Sequence, residues 1–384
     1  MILVLADDLS GAAELGAVAR EHGLSAEIQT AFDPSATADV LLVALDTRLA
    51  TAEEAAARMA STLGALRRRP GWIYLKVDSV LRGPVASLIR SALAATGLPR
   101  ALLIAANPTR GRVIRAGRYA IDGIPLHQTR FARDPDHPAT SDAVSERLGG
   151  SREVILLRPD DPLPARGIAV PDVSTFAQVL DWAGRWDRST LPVGAADFFR
   201  ALLCATGLRM SGGRAPCRVE SSNELGTVLV VCGSKAAWEQ GRADQLQTRG
   251  VPVVPMPSPS GGAEAFASPG PWSDVVVSAL ERAGSALVAL GTPPHDASPR
   301  HLEICLARCV ASVLRRTRVD RLYLEGGATA GAVGRVMGWR RFEVIGVLGS
   351  GLPLLRVASD PGPTVAIKPG SYDWPDEAWP RRRV

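Results

Sequence analysis

Lysine is nearly absent from this chain. Of its 44 basic residues, only Lys76, Lys235 and Lys368 are lysine, and the others are arginine. A chain that uses arginine for surface charge has little need of lysine for solubility. Each of the three follows a predicted strand, close to glycine, serine or aspartate, and lysine is a compact point charge suited to phosphate. We therefore interpret the lysines as candidate site residues, with chance placement as the alternative.

Long apolar runs are missing as well. No run approaches the roughly 20 residues that a membrane-spanning helix needs. The amino terminus, MILVLADDLSG, has no basic region, and Asp7 and Asp8 interrupt its apolar residues. This pattern predicts a first strand rather than a signal peptide. We therefore expect a cytoplasmic protein with no membrane partner.

Cysteine is also scarce. Five cysteines, an odd number at irregular spacing, are typical of reduced thiols. His301, Cys305 and Cys309 have the spacing of one helical face, so a metal site is an alternative, but no fourth ligand is evident. The net charge of +5 is spread over arginines without interleaved aromatics. It therefore predicts no nucleic-acid partner and favours an acidic or phosphorylated ligand.

The length and the order of patterns predict the fold. A chain of 384 residues exceeds one ordinary core, which indicates two domains. Apolar strands alternate with helical patterns in both halves, as in mostly parallel sheets flanked by helices. Arg209 to Gly226 is polar and without periodicity. We predict an α/β protein with domains at 1–210 and 211–384.

The densest group of polar side chains lies in WIYLKVDSVLRG. Lys76, Asp78, Ser79 and Arg82 stand where the predicted strand from Trp72 passes into a helix. This edge of a parallel sheet is where α/β proteins place ligands. An ammonium, a carboxylate, a hydroxyl and a guanidinium suit an anionic, hydroxylated small molecule. A salt-bridged strand end is the alternative.

A second group follows the first predicted strand, in ADDLSGAAE. Asp7 and Asp8 could serve as a general base and as an anchor for a hydroxyl, or they could cap the next helix. The irregular segment from Asn107 to Pro138 contributes Arg112 and His127. Long irregular segments in compact domains are usually functional or disordered, and the apolar residues of this one argue against disorder.

Three glycine turns follow predicted strands in the second half. They are CGSK with Ser234, EGGATAG with Gly326 to Thr329, and KPG with Lys368 and Gly370. Backbone N–H groups at strand-to-helix turns bind phosphate. One such turn is weak evidence because α/β folds need glycine there, but three in one half favour a phosphorylated ligand. The sequence has no Walker A loop.

In this order, the motifs resemble those of the four-carbon acid sugar kinases, a two-domain family long known only as a domain of unknown function. ADDLSGAAE is similar to the family's D-D-L-T-G-A, and KVDSVLRG to its K-x-D-S-T-L-R-G. The segment from Asn107 follows its central arginine–glycine pattern. VCGSK, EGGATAG and KPGSYD resemble its nucleotide-side motifs. The resemblance covers nearly the whole chain.

The resemblance implies a substrate domain, an ATP domain and an active site in the cleft between them. The family phosphorylates the terminal hydroxyl of tetronates such as threonate, erythronate or 3-oxotetronate. ATP and Mg²⁺ are the implied cofactors, and the metal ligands are unknown. A small-molecule sugar acid is the implied partner, and the chain could form a homodimer. The catalytic candidates are Asp8 and Asp7. Substrate contacts are implied for Lys76, Asp78, Ser79, Arg82, Arg112 and His127. Nucleotide contacts are implied for Ser234, Gly326, Gly327, Ala328, Thr329, Lys368 and Gly370.

The chain departs from the family pattern in three places. Ala328 stands where the family has a carboxylate, Val80 where it has threonine, and Tyr372-Asp373 where it has Phe-Gly. Two other functions therefore stay open. One is a nucleotide or metabolite sensor without catalysis, which Ala328 would suit. The other is a sugar-acid isomerase or lyase that needs no ATP.

Overall fold

The computed structural model describes residues 1–134, 136–208, 226–239, 241–257, 270–292, 298–370 and 372–379. The chain divides into two compact units, Met1–Gly213 and Arg214–Val384. Nearly all of the segment predicted to separate the domains lies outside the described residues. The roles assigned to 1–210 and 211–384, and the cleft between them, stay predictions.

The first unit is built on an eight-stranded sheet whose neighbouring strands are all parallel. In order across the sheet, the strands are Ala26–Gln29 (β2), Val40–Ala44 (β3), Ile2–Ala6 (β1), Trp72–Lys76 (β4), Thr190–Gly194 (β11), Arg100–Ile104 (β5), Gly167–Pro171 (β10) and Val154–Leu157 (β9). Every residue of β1 and β3 is buried. Continuous apolar strands of this kind belong to sheets covered on both faces.

Helices follow most of these strands. They are Leu9–Glu21 (α1), Ala52–Gly64 (α2), Val85–Thr96 (α3), Val144–Arg147 (α4), Phe176–Gly184 (α5) and Ala196–Ala205 (α6). Thr51 and Thr175 cap α2 and α5 with capping boxes. In each, the threonine side chain accepts from the backbone N–H three residues later, and the side chain of that later residue accepts from the threonine N–H. The predicted α/β class is confirmed.

The segment from Asn107 to Pro138 is more regular than predicted. It contains a three-stranded antiparallel sheet, formed by Arg112–Arg115 (β6), Arg118–Ile121 (β7) and Ile124–Pro125 (β8). Short 3-10 helices precede and follow this sheet at Pro108–Arg110, Leu126–Gln128 and Arg130–Arg133. These pieces are too short for their periodicity to be read from sequence.

The second unit has a seven-stranded sheet. In order, its strands are Val253–Pro255 (β13), Ser285–Ala289 (β14), Val228–Cys232 (β12), Arg321–Glu325 (β15), Thr364–Lys368 (β18), Leu352–Val357 (β17) and Arg341–Gly349 (β16). The first five are parallel, whereas β17 is antiparallel to both neighbours. Sequence reasoning missed β17, which follows β16 through a tight turn at Gly351 (φ 74°).

The helices of the second unit are Lys235–Glu239 (α7), Arg242–Gln247 (α8), Gly270–Ala283 (α9), Pro299–Arg316 (α10) and Gly327–Met337 (α11). Gly241 (φ 80°) separates α7 from α8. Cys305 and Cys309 are buried on α10. Within the residues that the structure describes, no group of three or more His, Cys, Asp or Glu side chains could hold a metal ion. None of the described helices is both long and apolar enough to cross a membrane.

Candidate functional site

Three neighbouring strands of the first unit bring charged side chains to one edge of the sheet. Ala6, at the end of β1, lies opposite both Ala44 of β3 and Lys76 of β4. The residues that follow these strand ends are therefore neighbours in space, although they are far apart in sequence. They include Asp7, Asp8, Arg48 and Asp78, and we call this group the carboxylate cluster. Its three carboxylates are buried, and Asp7 is only 1% exposed.

Arg48 joins the three carboxylates. Its Nε and Nη2 each donate to Asp7 at 3.1 Å, and its Nη1 donates to Asp8 at 2.6 Å. Its Nη2 also lies 3.6 Å from Asp78 Oδ2. A planar guanidinium with five donors can serve several carboxylates at once. Sequence reasoning missed Arg48, although polar residues follow β3 just as they follow β1.

Asp78 and Arg82 form a second tight pair. Arg82 donates to Asp78 from Nε at 3.1 Å and from Nη2 at 2.8 Å, while its Nη1 donates to Asp134 at 2.8 Å. The intervening Leu81 has φ 61°, a left-handed conformation that is uncommon for a branched side chain. The surrounding hydrogen bonds hold this turn in place, so the predicted substrate residue Arg82 is already oriented by two carboxylates.

Asp8 has the helix-capping role proposed for it, and its catalytic role stays a prediction. It caps α1 by accepting from Gly11 N–H at 2.7 Å, and Ser10 Oγ donates to it at 2.7 Å. Lys76 lies close by, with Nζ 3.6 Å from Glu14 Oε2. A Cβ at Gly11 would stand 2.9 Å from Asp8 Oδ1 and 3.2 Å from Lys76 Nζ. Gly11 is thus needed for the close packing of this corner.

The carboxylates differ in acidity. Burial raises the pKa of Asp7 to about 6, although the Arg48 charge opposes this shift. Burial also disfavours the ionised forms of Asp8 and Asp78. Arg48 and Ser10 more than offset the effect of burial on Asp8, and its pKa is lowered. Arg82 and Arg48 do the same for Asp78, whose pKa lies well below the usual range. Because a general base works best with a pKa near the working pH, Asp7 is the better proton acceptor.

Two further predicted residues join this corner, and one does not. Arg112 is buried and donates to Ser79 Oγ. The Phe131 ring lies 5.3 Å from the Arg82 guanidinium and 5.9 Å from that of Arg112. His127 instead lies beside Asp142, with Nδ1 3.6 Å from Oδ1. In the described part of the chain, no hydrogen bond or ion pair joins His127 to the carboxylate cluster.

The three glycine turns of the second unit are neighbours. Cys232, at the end of β12, lies opposite Glu325 of β15, and Glu325 lies opposite Lys368 of β18. The turn with Ser234 therefore lies next to the turn with Gly326 and Gly327, which lies next to the turn with Gly370. Sequence order alone did not show that these turns are adjacent, because β15 and β18 are separated by the β16–β17 hairpin.

The turn with Gly326 leads directly into the amino terminus of α11. In the described residues, no side chain caps the amino terminus of α11, and Gly326 reaches φ 98° just before it. The first-turn N–H groups of a helix attract anions. A Cβ at Gly233 would lie 2.2 Å from Thr329 Oγ1, so the first two turns approach closely. A Cβ at Gly370 would meet nothing within 4 Å.

Lys368 lies beneath these turns rather than at their surface. It is fully buried, and its Nζ is 2.7 Å from Glu325 Oε1. It also donates to Pro369 O at 3.3 Å and to Tyr372 O. All three of its N–H donors are therefore used within the protein. Burial lowers the pKa of Lys368, while Glu325 opposes this shift.

Glu325 was missed by sequence reasoning, although a charged residue that ends a buried strand is itself a signal. Arg242 Nη2 lies 3.2 Å from the oxygen that pairs with Lys368. Two cations thus contact Glu325 Oε1, whereas its buried Oε2 has no hydrogen-bond partner among the described residues. Ala328 is exposed in the first turn of α11 and adds no carboxylate. Mg²⁺ that binds with ATP takes most of its ligands from water and the phosphates, and it needs only one or two protein carboxylates. The side chain of Lys235 lies outside the described residues.

Two family models match parts of this chain. Residues 2–158 match a sugar-binding N-terminal domain, and residues 274–372 match a nucleotide-binding C-terminal domain. A 3-oxo-tetronate kinase of Methylobacterium radiotolerans is 27% identical over 418 residues, which cover 97% of this chain and 96% of that kinase. A D-threonate kinase of Salmonella typhimurium is 30% identical over 157 residues, covering 40% of this chain and only 37% of that kinase.

A solved structure shares the fold. A protein of Salmonella typhimurium LT2, provisionally described as a tRNA synthase, superposes with a TM-score of 0.72 at 16% identity. The match covers 97% of this chain and 96% of that protein. At this level of identity, the likeness concerns the fold alone.

Proposed function

The chain belongs to the four-carbon acid sugar kinase family, and on that premise we propose that it transfers the terminal phosphoryl group of ATP to a hydroxyl of a four-carbon sugar acid. The observation that carries this proposal is the register of Cys232, Glu325 and Lys368. It sets three glycine turns side by side, as a phosphate chain requires. Phosphoryl transfer asks a protein mainly for positioning and charge stabilisation.

The first unit supplies the acid site in this proposal. Arg48, Lys76 and Arg82 contact carboxylates of the protein in this structure, and in this proposal they turn some of their donors to the substrate carboxylate. Asp7 accepts the proton of the attacking hydroxyl. Burial raises its pKa to about 6, although the charge of Arg48 opposes this shift. The new bond joins the hydroxyl oxygen to the γ-phosphorus, the bond to the β,γ-bridging oxygen breaks, and ADP leaves. Asp8 orients Arg48 and the start of α1.

The second unit supplies the nucleotide site. Ser234, Gly326 to Thr329 and Gly370 hold the ATP phosphates through backbone N–H groups and hydroxyls. Lys368 acts indirectly in this scheme, because its contacts with Glu325, Pro369 and Tyr372 fix the turn that carries Gly370. When bound with ATP, Mg²⁺ would offset phosphate charge.

The substrate class follows from the relatives. Their names include D-threonate, D-erythronate and 3-oxo-tetronate kinase, and a 3-oxo-tetronate kinase matches along nearly its full length. Val80 is buried where the family has threonine, so the hydroxyl of that threonine is missing here. We therefore propose a four-carbon aldonic or oxo-aldonic acid.

The test is ATP-dependent release of ADP with a panel of threonate, erythronate and 3-oxotetronate. We expect release with at least one of these acids and none without acid. Turnover of an acid in the absence of ATP would instead indicate an isomerase or lyase.

One observation favours a second candidate, a nucleotide sensor without catalysis. Ala328 leaves the first turn of α11 without a carboxylate, and the described residues form no metal group. Measurable binding of ATP with no ADP release, whichever acid is added, would favour the sensor over the kinase.

A further inference from the structure

Two distant parts of the chain close on the backbone carbonyl of Arg48. The His137 Nε2 atom lies 2.8 Å from Arg48 O. Gly83 packs against the same oxygen, because a Cβ there would stand only 2.7 Å from it. The residue before Arg48 is fixed as well, since Thr47 N–H donates to Asp7 O at 2.8 Å. The point from which the Arg48 side chain extends is therefore held by three separate segments.

His137 is the donor in its bond with Arg48. A backbone carbonyl can only accept, so the hydrogen lies on Nε2, and the ring needs no charge to form this bond. The two residues are 89 positions apart in sequence. The bond is therefore a tertiary contact that ties the loop of Arg48 to the end of the irregular segment, rather than a local turn.

The position of His137 is fixed by another residue of the same corner. Asp134 Oδ1 accepts from His137 N–H at 2.9 Å, while its Oδ2 accepts from Arg82 Nη1 at 2.8 Å. On the other side of His137 in sequence, Ala139 N–H donates to Phe131 O at 2.8 Å. The backbone that carries the imidazole is thus anchored both before and after it.

The Arg48 guanidinium tolerates little displacement. It donates to Asp7 from two nitrogens at 3.1 Å and to Asp8 from the third at 2.6 Å. Hydrogen bonds weaken steeply as their distances and angles leave the optimum. A shift of the Arg48 backbone would therefore change its contacts with both carboxylates, and it would move the donors that the proposed acid site offers to the substrate.

We propose that His137 is a positioning residue of the acid site, which fixes Arg48 through its backbone carbonyl where the guanidinium joins Asp7 and Asp8. This inference rests on the proposed function, because it assumes that Asp7 accepts the hydroxyl proton beside Arg48. His137 contacts no reacting atom in that scheme. It acts through Arg48 alone, so its loss should alter the binding of the acid and the acidity of Asp7.

The test uses ADP release by the full chain with threonate, erythronate and 3-oxotetronate. His137→Ala removes the donor, whereas His137→Gln keeps an N–H donor on a side chain that does not titrate. His22→Ala is the matched control. Its Nδ1 also donates to a backbone carbonyl, Val18 O at 2.9 Å, but at the end of α1 opposite to Asp8.

We expect His137→Ala to raise the KM for the acid roughly three- to tenfold, as for the loss of one hydrogen bond. The KM for ATP should stay unchanged. His137→Gln should restore most of the affinity for the acid. His22 is only 7% exposed, so His22→Ala should lower the Tm of the protein, but it should change neither Michaelis constant.

The pH profile of kcat gives a second readout. Asp7 faces Arg48, Asp8, Lys76 and Asp78, and the Arg48 charge lowers its pKa. A displaced Arg48 lowers it less, so in His137→Ala the fall of activity on the acid side should move to higher pH by about half a pH unit or more. His137→Gln should keep the wild-type profile.

Three outcomes would overturn the inference while leaving the proposed kinase intact. The first is a His137→Ala enzyme with the wild-type KM for the acid and the wild-type pH profile. The second is a profile shifted equally in His137→Gln, which would assign the shift to the titration of His137 itself. The third is an equal rise of the KM for the acid in His22→Ala. If the wild-type chain releases no ADP with any of the acids, the proposed function fails and this inference fails with it.

Discussion

Asp7 and Asp8 are adjacent in sequence and share Arg48, yet their surroundings give them different chemistry. Asp8 accepts from Ser10 and Gly11, and its pKa is lowered because these bonds and Arg48 outweigh burial. Asp7 lacks the bonds from Ser10 and Gly11, so burial, aided by the charges of Asp8 and Asp78, raises its pKa to about 6. Two neighbouring carboxylates with separated pKa values are a recurrent arrangement in acid–base catalysis.

Asp7→Asn should lower kcat by about 10²- to 10⁴-fold, because the variant cannot accept the hydroxyl proton. In the wild type, activity should fall as the pH drops through about 6, where Asp7 becomes protonated. The measurement is ADP release at saturating ATP and acid between pH 5 and pH 8. A variant that retains wild-type kcat, or a wild type with no activity change in this range, would remove Asp7 from the reaction.

The raised pKa of Asp7 also predicts a cost in stability. Because its folded-state pKa of about 6 exceeds the ordinary aspartate pKa of 3.8, the folded state binds its proton more tightly than the unfolded state. The stabilisation that this bound proton gives the folded state is fully present below the unfolded-state pKa, and it is lost as the pH rises through about 6. Asp7→Asn should therefore raise the free energy of unfolding at pH 7.5 by up to about 3 kcal/mol.

This gain should vanish near pH 4, where Asp7 of the wild type is protonated as well. Asp78→Asn is the contrasting variant, because Arg82 and Arg48 outweigh burial and lower the pKa of Asp78. It should destabilise the protein at pH 7.5, and its effect should shrink as pH falls through the lowered pKa. Urea denaturation at both pH values checks the two variants. An Asp7→Asn variant less stable than the wild type at pH 7.5 would contradict the account.

At the level of strands and turns, sequence patterns predicted where polar residues follow strands but not which strands are neighbours. Asp7 and Asp78 were found because each ends an apolar strand. Arg48 was missed because only the pairing of β3 with β1 makes it a partner of Asp7. Lys368 was predicted to face phosphate, but the register of β15 and β18 sets it against Glu325. Pairing is a tertiary property that local patterns do not contain.

Gly233→Ala tests the closeness of the first two glycine turns. A Cβ at this position would stand 2.2 Å from Thr329 Oγ1, so the turn or α11 must shift. We expect the KM for ATP to rise by about tenfold or more, since small displacements at a binding site are costly. The KM for the acid should stay unchanged.

Gly334→Ala is the control for this variant. It lies on α11, and its nearest contact, Trp339 O at 3.8 Å, is an ordinary one. This substitution should leave both Michaelis constants unchanged. A Gly233→Ala enzyme with the wild-type KM for ATP would show that the turn takes no part in nucleotide binding.

For the chain as one protein, the central proposal is a division of work, in which the first unit binds the acid and the second binds the nucleotide. A ligand that binds only the folded state stabilises it by mass action, by about 2.7 kcal/mol at a hundredfold excess over Kd. Both the acid and a non-hydrolysable ATP analogue should therefore raise the Tm of the wild type. Arg82→Gln should weaken the response to the acid and leave the response to the analogue unchanged, because it removes one of three cations from the first unit and leaves the second unit untouched. Gly233→Ala should weaken the response to the analogue alone. Differential scanning calorimetry of the two variants with each ligand gives the comparison, and a variant that loses both responses would contradict the separation of the two sites.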